Sequence, residues 1–226
     1  MHHRTVGDVM TREVITAGLD TPVKNIAVLL DRNEVSAVPV IDAARHVVGL
    51  VSEADLIHKE AARPDPHGHL AQTQRTPADQ HRLAAETAQA VMTSKLFSAH
   101  PEWTVPEAAR AMEEHHVRRL PVVDEGERLI GIVSRSDLMS VFLRADTAIR
   151  EEIVDEVLRH ALWLDPRDIS VEVEDGVVTL RGEVERKSMI ALLDRLCWSV
   201  EGVVAVHTVL DYGVDDPDVP TADPGR

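Results

Sequence analysis

The pattern of hydrophobic and polar positions over residues 5–144 repeats after 82 positions without an insertion. Val9-Met10-Thr11 recurs as Val91-Met92-Thr93, and Val38-Pro39-Val40 recurs as Leu120-Pro121-Val122. Two further stretches keep the same register: Gly49-Leu50-Val51-Ser52 with Gly131-Ile132-Val133-Ser134, and Asp55-Leu56 with Asp137-Leu138. An offset that holds over this many positions indicates an internal duplication.

Each copy predicts the same order of helix, strand, strand and helix. A start at Thr21 or Thr104, with a proline close behind, opens an amphipathic helix that ends near residue 31 or 114. Short β-branched runs then predict two strands in each copy, over residues 37–41, 47–51, 119–123 and 129–133. A second helix begins at Ser52 or Ser134. One such unit is too small to bury its own sheet, so we expect the two copies to pack together.

Residues 147–212 follow a different pattern and predict a separate unit. The expected order is helix 148–164, strand 169–174, strand 177–184, helix 186–200 and strand 203–210. Asp175-Gly176 stands between the first two strands and is a strong signal of a tight hairpin, and Gly202 marks another turn. Helices and strands that alternate in this way indicate an α/β (α+β) chain.

The predicted domain limits are residues 1–60 and 87–146 for the repeats, 61–86 for a linker, 147–212 for the separate unit and 213–226 for an acidic tail. The linker is rich in Pro, His, Gln and Asp, with a short helix expected over residues 78–90. Its residues His67, His69 and His81 lack Cys partners and zinc-like spacing, so no metal site is predicted. The Pro- and Asp-rich tail is expected to be disordered.

The composition narrows the class of protein. Asp and Glu outnumber Lys and Arg by 39 to 24, and the formal net charge of -15 disfavours binding to nucleic acid or anionic lipid. No apolar run approaches the ~20 residues of a membrane helix, and the N-terminus has no apolar signal segment. The single cysteine, Cys197, is expected to be a buried apolar residue without a disulfide. We therefore expect a cytoplasmic protein.

The repeated motifs resemble those of the CBS domain: V-M-T at the start, h-P-V-h-D in the middle and G-h-h-S-x-x-D-L at the end, where h is apolar. The resemblance covers about residues 5–60 and 87–144. It implies a Bateman module, in which two pseudo-symmetric CBS repeats pack as a pair and often bind an adenosine ligand in the cleft between them. It also implies a homodimer, because CBS pairs commonly associate as flat discs.

The G-h-h-S-x-x-D segment has two interpretations. A Ser at the helix start and an Asp three residues later form a capping box, which satisfies backbone N–H groups of the first turn. The same helix end suits the phosphate and ribose groups of a nucleotide. The resemblance implies that Asp55 and Asp137 bind ribose and that Ser52 and Ser134 contact ribose or phosphate. Both interpretations can hold at the same residues.

Basic residues distinguish the second copy from the first. Arg118 and Arg119 precede the second h-P strand, where the resemblance places phosphate-binding residues, and Arg135 adds a further guanidinium. The first copy has Ser36-Ala37 there, so we expect one phosphate-competent site, which pairs these arginines with Asp55. S-adenosylmethionine, which lacks phosphates, suits the other cleft. A solvated basic patch facing neighbouring glutamates is the alternative.

The h-P-V strands are expected to supply the wall against the adenine ring. Proline has no N–H to donate to a sheet and leaves an apolar edge where a flat ring can lie. The candidates are Val38, Pro39, Leu120 and Pro121. Ordinary core packing is the alternative for Val38 and Leu120.

The run from Asp175 to Val184 resembles the BON domain, and Glu201-Gly202-Val203 begins its closing strand. The resemblance implies a small α+β fold and a proposed role in phospholipid binding. Residues 147–212 hold twice as many acidic as basic side chains, which repels anionic headgroups, so we expect a protein-interaction or dimer-packing module and membrane binding is not expected. A small-ligand role stays open. Trp163 and Trp198 are assigned to the core or an interface.

Two functional hypotheses remain. No hydrolase elbow, zinc-protease motif, P-loop or dinucleotide fingerprint is present, so catalysis is not predicted, nor is any obligatory cofactor. In the first hypothesis, the protein is a sensor that binds ATP, ADP, AMP or S-adenosylmethionine and signals by packing changes to the BON domain or an unknown protein target. In the second, the CBS pair is a ligand-free assembly module whose BON domain contacts a protein or membrane surface.

Overall fold

The computed structural model describes residues 4–61 and 84–216, which form two compact units that divide between Asp137 and Leu138. Most of the predicted linker, with His67, His69 and His81, and residues 217–226 of the predicted tail lie outside the described residues. Within the described part, no helix has the length and apolar character needed to span a membrane. Arg4 belongs to the second unit by its contacts.

The first unit contains both sequence repeats, and their predicted order of elements is confirmed. The first repeat comprises α1 (Val6–Val9), β1 (Ala17–Gly18), α2 (Val23–Arg32), β2 (Ala37–Ile41), β3 (Val47–Ser52) and α3 (Glu53–Ala61). The second comprises α4 (Ala88–Val91), α5 (Val105–Glu114), β4 (Arg119–Val123), β5 (Leu129–Ser134) and α6 (Arg135–Met139). A helix is predicted over residues 78–90. Residues 85–87 are not helical, and α4 begins only at Ala88.

The helices start and face the core as the sequence predicts. Thr104 and Glu107 form a complete capping box at α5: the Thr104 hydroxyl accepts from the Glu107 N–H, and the Glu107 carboxylate accepts from the Thr104 N–H. On α2, Ile26 and Leu30 lie four residues apart and are both buried, which places one face of the helix against the sheet.

Each repeat forms a hairpin with the same register and the same irregularity. β2 and β3 are antiparallel with Val38 opposite Val51, and the register shifts between Val40 and Ile41. β4 and β5 are antiparallel with Leu120 opposite Val133, and the register shifts between Val122 and Val123. The bulge thus occurs at equivalent positions, 82 residues apart, and the duplication extends to backbone detail.

A short segment near the start of each repeat, here called its arm, pairs with the sheet of the other repeat. Thr11 and Ile132 exchange two backbone hydrogen bonds of 2.9 and 3.0 Å. Thr93 and Leu50 exchange two of the same lengths. Each sheet is therefore completed by an arm from the opposite copy, which explains why a single repeat is not a self-contained unit.

The V-M-T and G-h-h-S motifs fit one another across the two repeats. A Cβ atom on Gly131 would lie 2.4 Å from the Sδ of Met10, and one on Gly49 would lie 2.3 Å from the Sδ of Met92. Both distances are far below van der Waals contact, so only glycine leaves room for the methionine of the opposite arm. The V-M-T motif of each repeat therefore packs against the G-h-h-S motif of the other repeat.

The second unit has the fold expected from the BON resemblance, with one sheet covered by helices. A short turn (Ser140–Leu143) leads into α7 (Asp146–Glu152), a π-helical continuation (Ile153–Ala161), β6 (Ile169–Glu174), β7 (Val177–Arg186), α8 (Ser188–Trp198) and β8 (Ala205–Val214). β6 pairs with β7 antiparallel, and β8 joins the other side of β7 in parallel. The predicted α/β (α+β) class is confirmed for the chain.

The Asp175-Gly176 hairpin is confirmed and is tied to the start of α7. The φ angles are 51° at Asp175 and 75° at Gly176, as the tight turns of β-hairpins require. The Asp146 carboxylate accepts hydrogen bonds from both backbone N–H groups at 2.9 Å. The side chain of Asp146 therefore links the start of α7 to the turn between β6 and β7.

Two elements of the second unit differ in detail from the prediction. The helix expected over residues 148–164 becomes π-helical from Ile153; Leu162 N–H bonds to Val157 at the fifth residue back, which suits the four- and five-residue spacing of the buried Ile153, Val157 and Leu158. The predicted disordered tail starts at residue 213, but β8 continues to Val214, and Asp216 accepts from the N–H and hydroxyl of Ser188.

The prediction places Trp163 and Trp198 in the core or at an interface, and the structure excludes only the core. Trp163 is 88% exposed and Trp198 is 51% exposed, so neither lies in the core, although an interface stays a prediction. Trp163 follows the π-helical segment and has a positive φ of 56°. Cys197 is buried as predicted, and the loss of hydration raises the pKa of its thiol to about 12.

Candidate functional site

The sharp change from strand to helix at Ser52 and Ser134 positions the predicted ribose ligands. The Asp55 Oδ2 accepts from the Ser52 N–H at 2.8 Å and from the Ser52 hydroxyl at 2.6 Å. The Asp137 Oδ2 accepts from the Ser134 N–H at 2.7 Å and from its hydroxyl at 2.6 Å. The carboxylate half of the predicted capping box is thus present at both sites.

One oxygen of each of these carboxylates is left over. The Oδ1 atoms of Asp55 and Asp137 have no hydrogen-bond partner among residues 4–61 and 84–216, and both side chains are half-buried. A carboxylate oxygen accepts up to two hydrogen bonds, so capping and ligand binding use different atoms of the same side chain. The two interpretations of the motif are therefore compatible in the structure.

The start of each h-P strand lies beside the start of the following helix. Arg119 is opposite Ser134 in the β4–β5 hairpin, and the Arg135 N–H donates to the Arg118 carbonyl at 3.0 Å. The strand pairing thus continues into the first residue of α6 and places Arg118, Arg119 and Arg135 next to one another. This backbone contact brings the three arginines to the same end of the hairpin.

A cavity of about 430 Å³, here called the arginine cavity, opens at this end of the first unit. The second repeat contributes Arg118, Arg119, Ser134, Arg135 and Asp137 to its lining. The first repeat contributes residues of its arm, among them Glu13, and the four residues from Glu34 to Ala37. The cavity is therefore a cleft between the two repeats, which is where the sequence resemblance placed a ligand.

The three arginines differ in how much they are already engaged. The Arg119 Nη2 donates to the Ser36 hydroxyl at 2.6 Å, and burial lowers the pKa of its guanidinium although the charge of Glu53 opposes this. The Arg135 Nη2 lies 3.9 Å from Glu113 in an exposed ion pair. The exposed Arg118 side chain has no hydrogen-bond or ion-pair partner in the part of the chain that the structure describes. Arg118 is therefore the group most available to a ligand.

The structure brings together some of the predicted site residues and separates others. Asp137 and Ser134 line the arginine cavity, whereas Asp55 and Ser52 are not part of its lining. The expected pairing of the arginines with Asp55 stays a prediction; Arg119 does lie near enough to Glu53, the first residue of α3, for their charges to interact. The adenine-wall candidates are all buried, and Val38 and Leu120 are fully so: Val38, Pro39, Leu120 and Pro121.

Two charged residues of the cavity lining were not among the predicted site residues. Glu13 and Glu34 lie in its lining, on the arm and on the turn after α2. The 82-residue offset makes Lys95 and His116 their counterparts in the second copy. A comparison of charges at equivalent positions, extended beyond the recognised motifs, would have singled out both glutamates.

The aspartate of the h-P-V-h-D motif has a structural role at the opposite end of each hairpin. The Asp42 Oδ1 accepts from the Ala44 and His46 N–H groups, and the Asp124 Oδ1 accepts from the Gly126 and Arg128 N–H groups. These backbone hydrogen bonds, led by those of His46 and Arg128, lower the pKa of both carboxyls. Neither aspartate lines the arginine cavity, so this part of the motif stabilises a turn.

The second unit carries an acidic depression. It has a volume of about 1010 Å³ and lies along β7 and β8. Asp168, Glu183, Glu185 and Asp211 line it, together with one arginine, Arg186. An anionic headgroup or nucleotide would meet like charges here, so the depression is unsuited to the ligand that suits the arginine cavity.

Comparison with known proteins places these observations in a family. The model of the CBS domain matches residues 6–62 and 88–144, and the model of the BON domain matches residues 145–213. The chain is 30% identical over 134 residues to the CBS domain-containing protein YhcV of Bacillus subtilis, covering 59% of this chain and 82% of that protein. It is 28% identical over 153 residues to an uncharacterised protein of Methanocaldococcus jannaschii, covering 61% of this chain and 90% of that protein.

A solved structure shares the fold of the first unit. CBSX2 of Arabidopsis thaliana, crystallised in complex with AMP, has 28% sequence identity and a TM-score of 0.53. The match covers 62% of this chain and 97% of that chain.

Proposed function

Because the chain belongs to the CBS-domain proteins and carries a BON domain after its two repeats, we propose that it is a non-catalytic regulatory protein that binds an adenosine ligand in the arginine cavity. The observation that carries this proposal is the meeting of three guanidinium groups and a helix-start carboxylate in one cleft between the repeats. Guanidinium groups suit phosphate or carboxylate oxygens, and a fixed carboxylate suits paired hydroxyls. A nucleotide or a related nucleoside with an anionic group presents both.

The residue roles follow from the hydrogen bonds already present. Asp137 accepts ribose hydroxyls through Oδ1 while its Oδ2 continues to cap α6. The Ser134 hydroxyl already donates to that carboxylate, so toward a ligand it acts as an acceptor. Arg118 supplies the principal contact to the anionic group, with Arg119 and Arg135 beside it. Val38, Pro39, Leu120 and Pro121 remain the candidates for the base contact, although none of them lines the arginine cavity.

The AMP complex of CBSX2 supports the choice of ligand class. That protein shares the fold of the first unit at 28% identity, and its ligand has the ribose and the anionic group that the arginine cavity is equipped to hold. Asp55 and Ser52 occupy the equivalent positions at the start of α3, and we propose the cleft at that helix as a second site, to which Arg119 is close. S-adenosylmethionine is a further candidate ligand.

The proposal extends to assembly and signalling. We propose a homodimer through the CBS pair and a cytoplasmic location, with ligand occupancy altering how the repeats pack and thereby what the BON domain or a protein partner contacts. The exchanged arms support a change in how the repeats pack, because any movement of one repeat against the other would alter the Thr11–Ile132 and Thr93–Leu50 pairings. The second candidate function is a ligand-free assembly module, and the exposed Trp163 and Trp198 favour a contact surface on the second unit.

Calorimetric titration of the full chain with AMP, ADP, ATP and S-adenosylmethionine tests the proposal. We expect binding that Arg118→Ala weakens by about 10- to 100-fold, since a hydrogen bond to a charged group contributes roughly 1.5–3 kcal/mol and 1.4 kcal/mol is a factor of ten. The side chain of Arg118 has no partner in the described structure, so its removal leaves the fold unchanged.

Arg128→Ala is the matched control. Arg128 is exposed at the turn of the same β4–β5 hairpin, so the substitution removes an equal charge far from the arginine cavity. Equal affinities for the two variants would show that Arg118 does not contact the ligand. The absence of heat with every ligand would favour the assembly module instead.

A further inference from the structure

The arginine cavity contains as many acidic as basic side chains. Its three arginines are matched by Glu13, Glu34 and Asp137, so the lining has no formal net charge. A site built for a chain of phosphates needs an excess of positive charge, because each added phosphate brings further negative charge into the cleft. The balance here suits a ligand with a single anionic group.

The two glutamates are held in position by the backbone. Glu13 follows the arm whose Thr11 is hydrogen-bonded to Ile132 of β5. Glu34 has a φ of 52°, a conformation uncommon for residues other than glycine, and its N–H donates to the Asp31 carbonyl. Both come from the first repeat, and they face a lining whose arginines come from the second. A ligand held by the arginines therefore meets two carboxylates that the first repeat contributes to the lining.

The duplication shows that these charges are particular to this cleft. At the equivalent positions the second copy has Lys95 for Glu13 and His116 for Glu34, and Glu53 stands where Arg135 stands in the other copy. His116 has the same backbone conformation as Glu34, with a φ of 53°. The scaffold therefore accepts a neutral or basic residue at these positions, and the acidic choice is not required by the fold.

We infer that Glu13 and Glu34 restrict the arginine cavity to adenosine ligands with one anionic group and exclude nucleoside di- and triphosphates. This inference rests on the proposed function and specifies the ligand class of the same site. A nucleoside monophosphate and an adenosine with an aminocarboxylate side chain both satisfy it, since each offers the arginines one anionic group. The aminocarboxylate ligand also carries positive charge that the glutamates attract.

The test is a titration of the full chain with AMP, S-adenosylmethionine and ATP at fixed ionic strength, in the presence of EDTA so that no metal ion screens the phosphates. We expect AMP or S-adenosylmethionine to bind at least about tenfold more tightly than ATP. Glu34→Gln and Glu13→Gln should each raise the affinity for ATP about three- to tenfold while that for AMP changes less. Whichever of AMP and S-adenosylmethionine binds more tightly identifies the anionic group.

Glu125→Gln is the matched control, because Glu125 is exposed in the β4–β5 turn and its substitution removes the same charge away from the cavity. It should leave the ratio of the ATP and AMP affinities unchanged. Equal affinities of the unaltered protein for ATP and AMP, or a ratio that neither glutamate variant changes, would overturn the inference while Arg118-dependent binding persists. Binding that is absent, or independent of Arg118, would instead remove the proposed function itself.

Discussion

The contact between Met10 and Gly131 allows a quantitative test of how the repeats hold one another. In Gly131→Ala, the new Cβ would lie 2.4 Å from the Met10 Sδ, 3.1 Å from its Cγ and 3.2 Å from the carbonyl oxygen of Thr11. This carbonyl accepts a hydrogen bond from Ile132 of β5. The added methyl group therefore meets the paired backbone of the arm as well as the buried side chain of Met10. Overpacking of this kind costs about 1–3 kcal/mol of the free energy of unfolding.

A double-mutant cycle separates this clash from a general loss of stability. Met10 is buried, and Met10→Ala alone should lower the free energy of unfolding by about 2–5 kcal/mol. In Met10→Ala with Gly131→Ala, the added methyl group occupies space that the methionine has vacated. The double variant should therefore be more stable than the sum of the single losses predicts, by at least about 1 kcal/mol.

The assay is urea denaturation followed by the fluorescence of Trp103, which lies in the first unit. Trp163→Phe and Trp198→Phe in every variant remove the other two tryptophans, both of which are well exposed. Gly18→Ala is the control, because its Cβ would be 3.8 Å from the nearest atom, the Thr21 Oγ1. Additive losses, or a Gly131→Ala effect no larger than that of Gly18→Ala, would refute the assignment of the two motifs to one contact.

Two further predictions concern titratable groups. The lowered pKa of Asp124 means that its carboxylate stabilises the fold above the ordinary pKa near 4 and that this contribution is lost as the pH falls through the lower folded value. Asp124→Asn should therefore be less stable than the unaltered protein at pH 6 in urea titrations, and the difference should shrink toward pH 2; a constant difference would contradict it. Because burial raises the pKa of Cys197 to about 12, iodoacetamide should leave the native thiol unmodified at pH 8 and alkylate it fully in urea, as mass spectrometry would show; rapid native alkylation would contradict its burial.

Much of the fold could be predicted because local signals and the duplication agree. The strands Ala37–Ile41 and Arg119–Val123 occur at the expected limits, since β-branched runs end at an aspartate whose side chain caps the turn. The Thr104 capping box likewise fixes the start of α5. In each case the residues that decide the structure are neighbours in the chain, so one sequence suffices to identify them.

The features that could not be predicted depend on contacts between distant residues. The arms carry no strand-like run of their own, and Thr11 becomes paired only because β5 lies beside it. Trp163 is exposed just after a π-helical segment, and residue preferences reveal neither feature. Glu13 and Glu34 were missed as cavity residues because a carboxylate on a loop has no periodicity, and its role depends on which arginines face it.

The exchanged arms also impose an order on synthesis at the ribosome. Thr11 emerges early, yet its partner Ile132 is made about 120 residues later, which at roughly 5–20 residues per second is a delay of about 6–24 seconds. Throughout that interval the first arm has no sheet to join, and the first hairpin waits for Thr93. The first unit therefore cannot be complete until β5 has been synthesised.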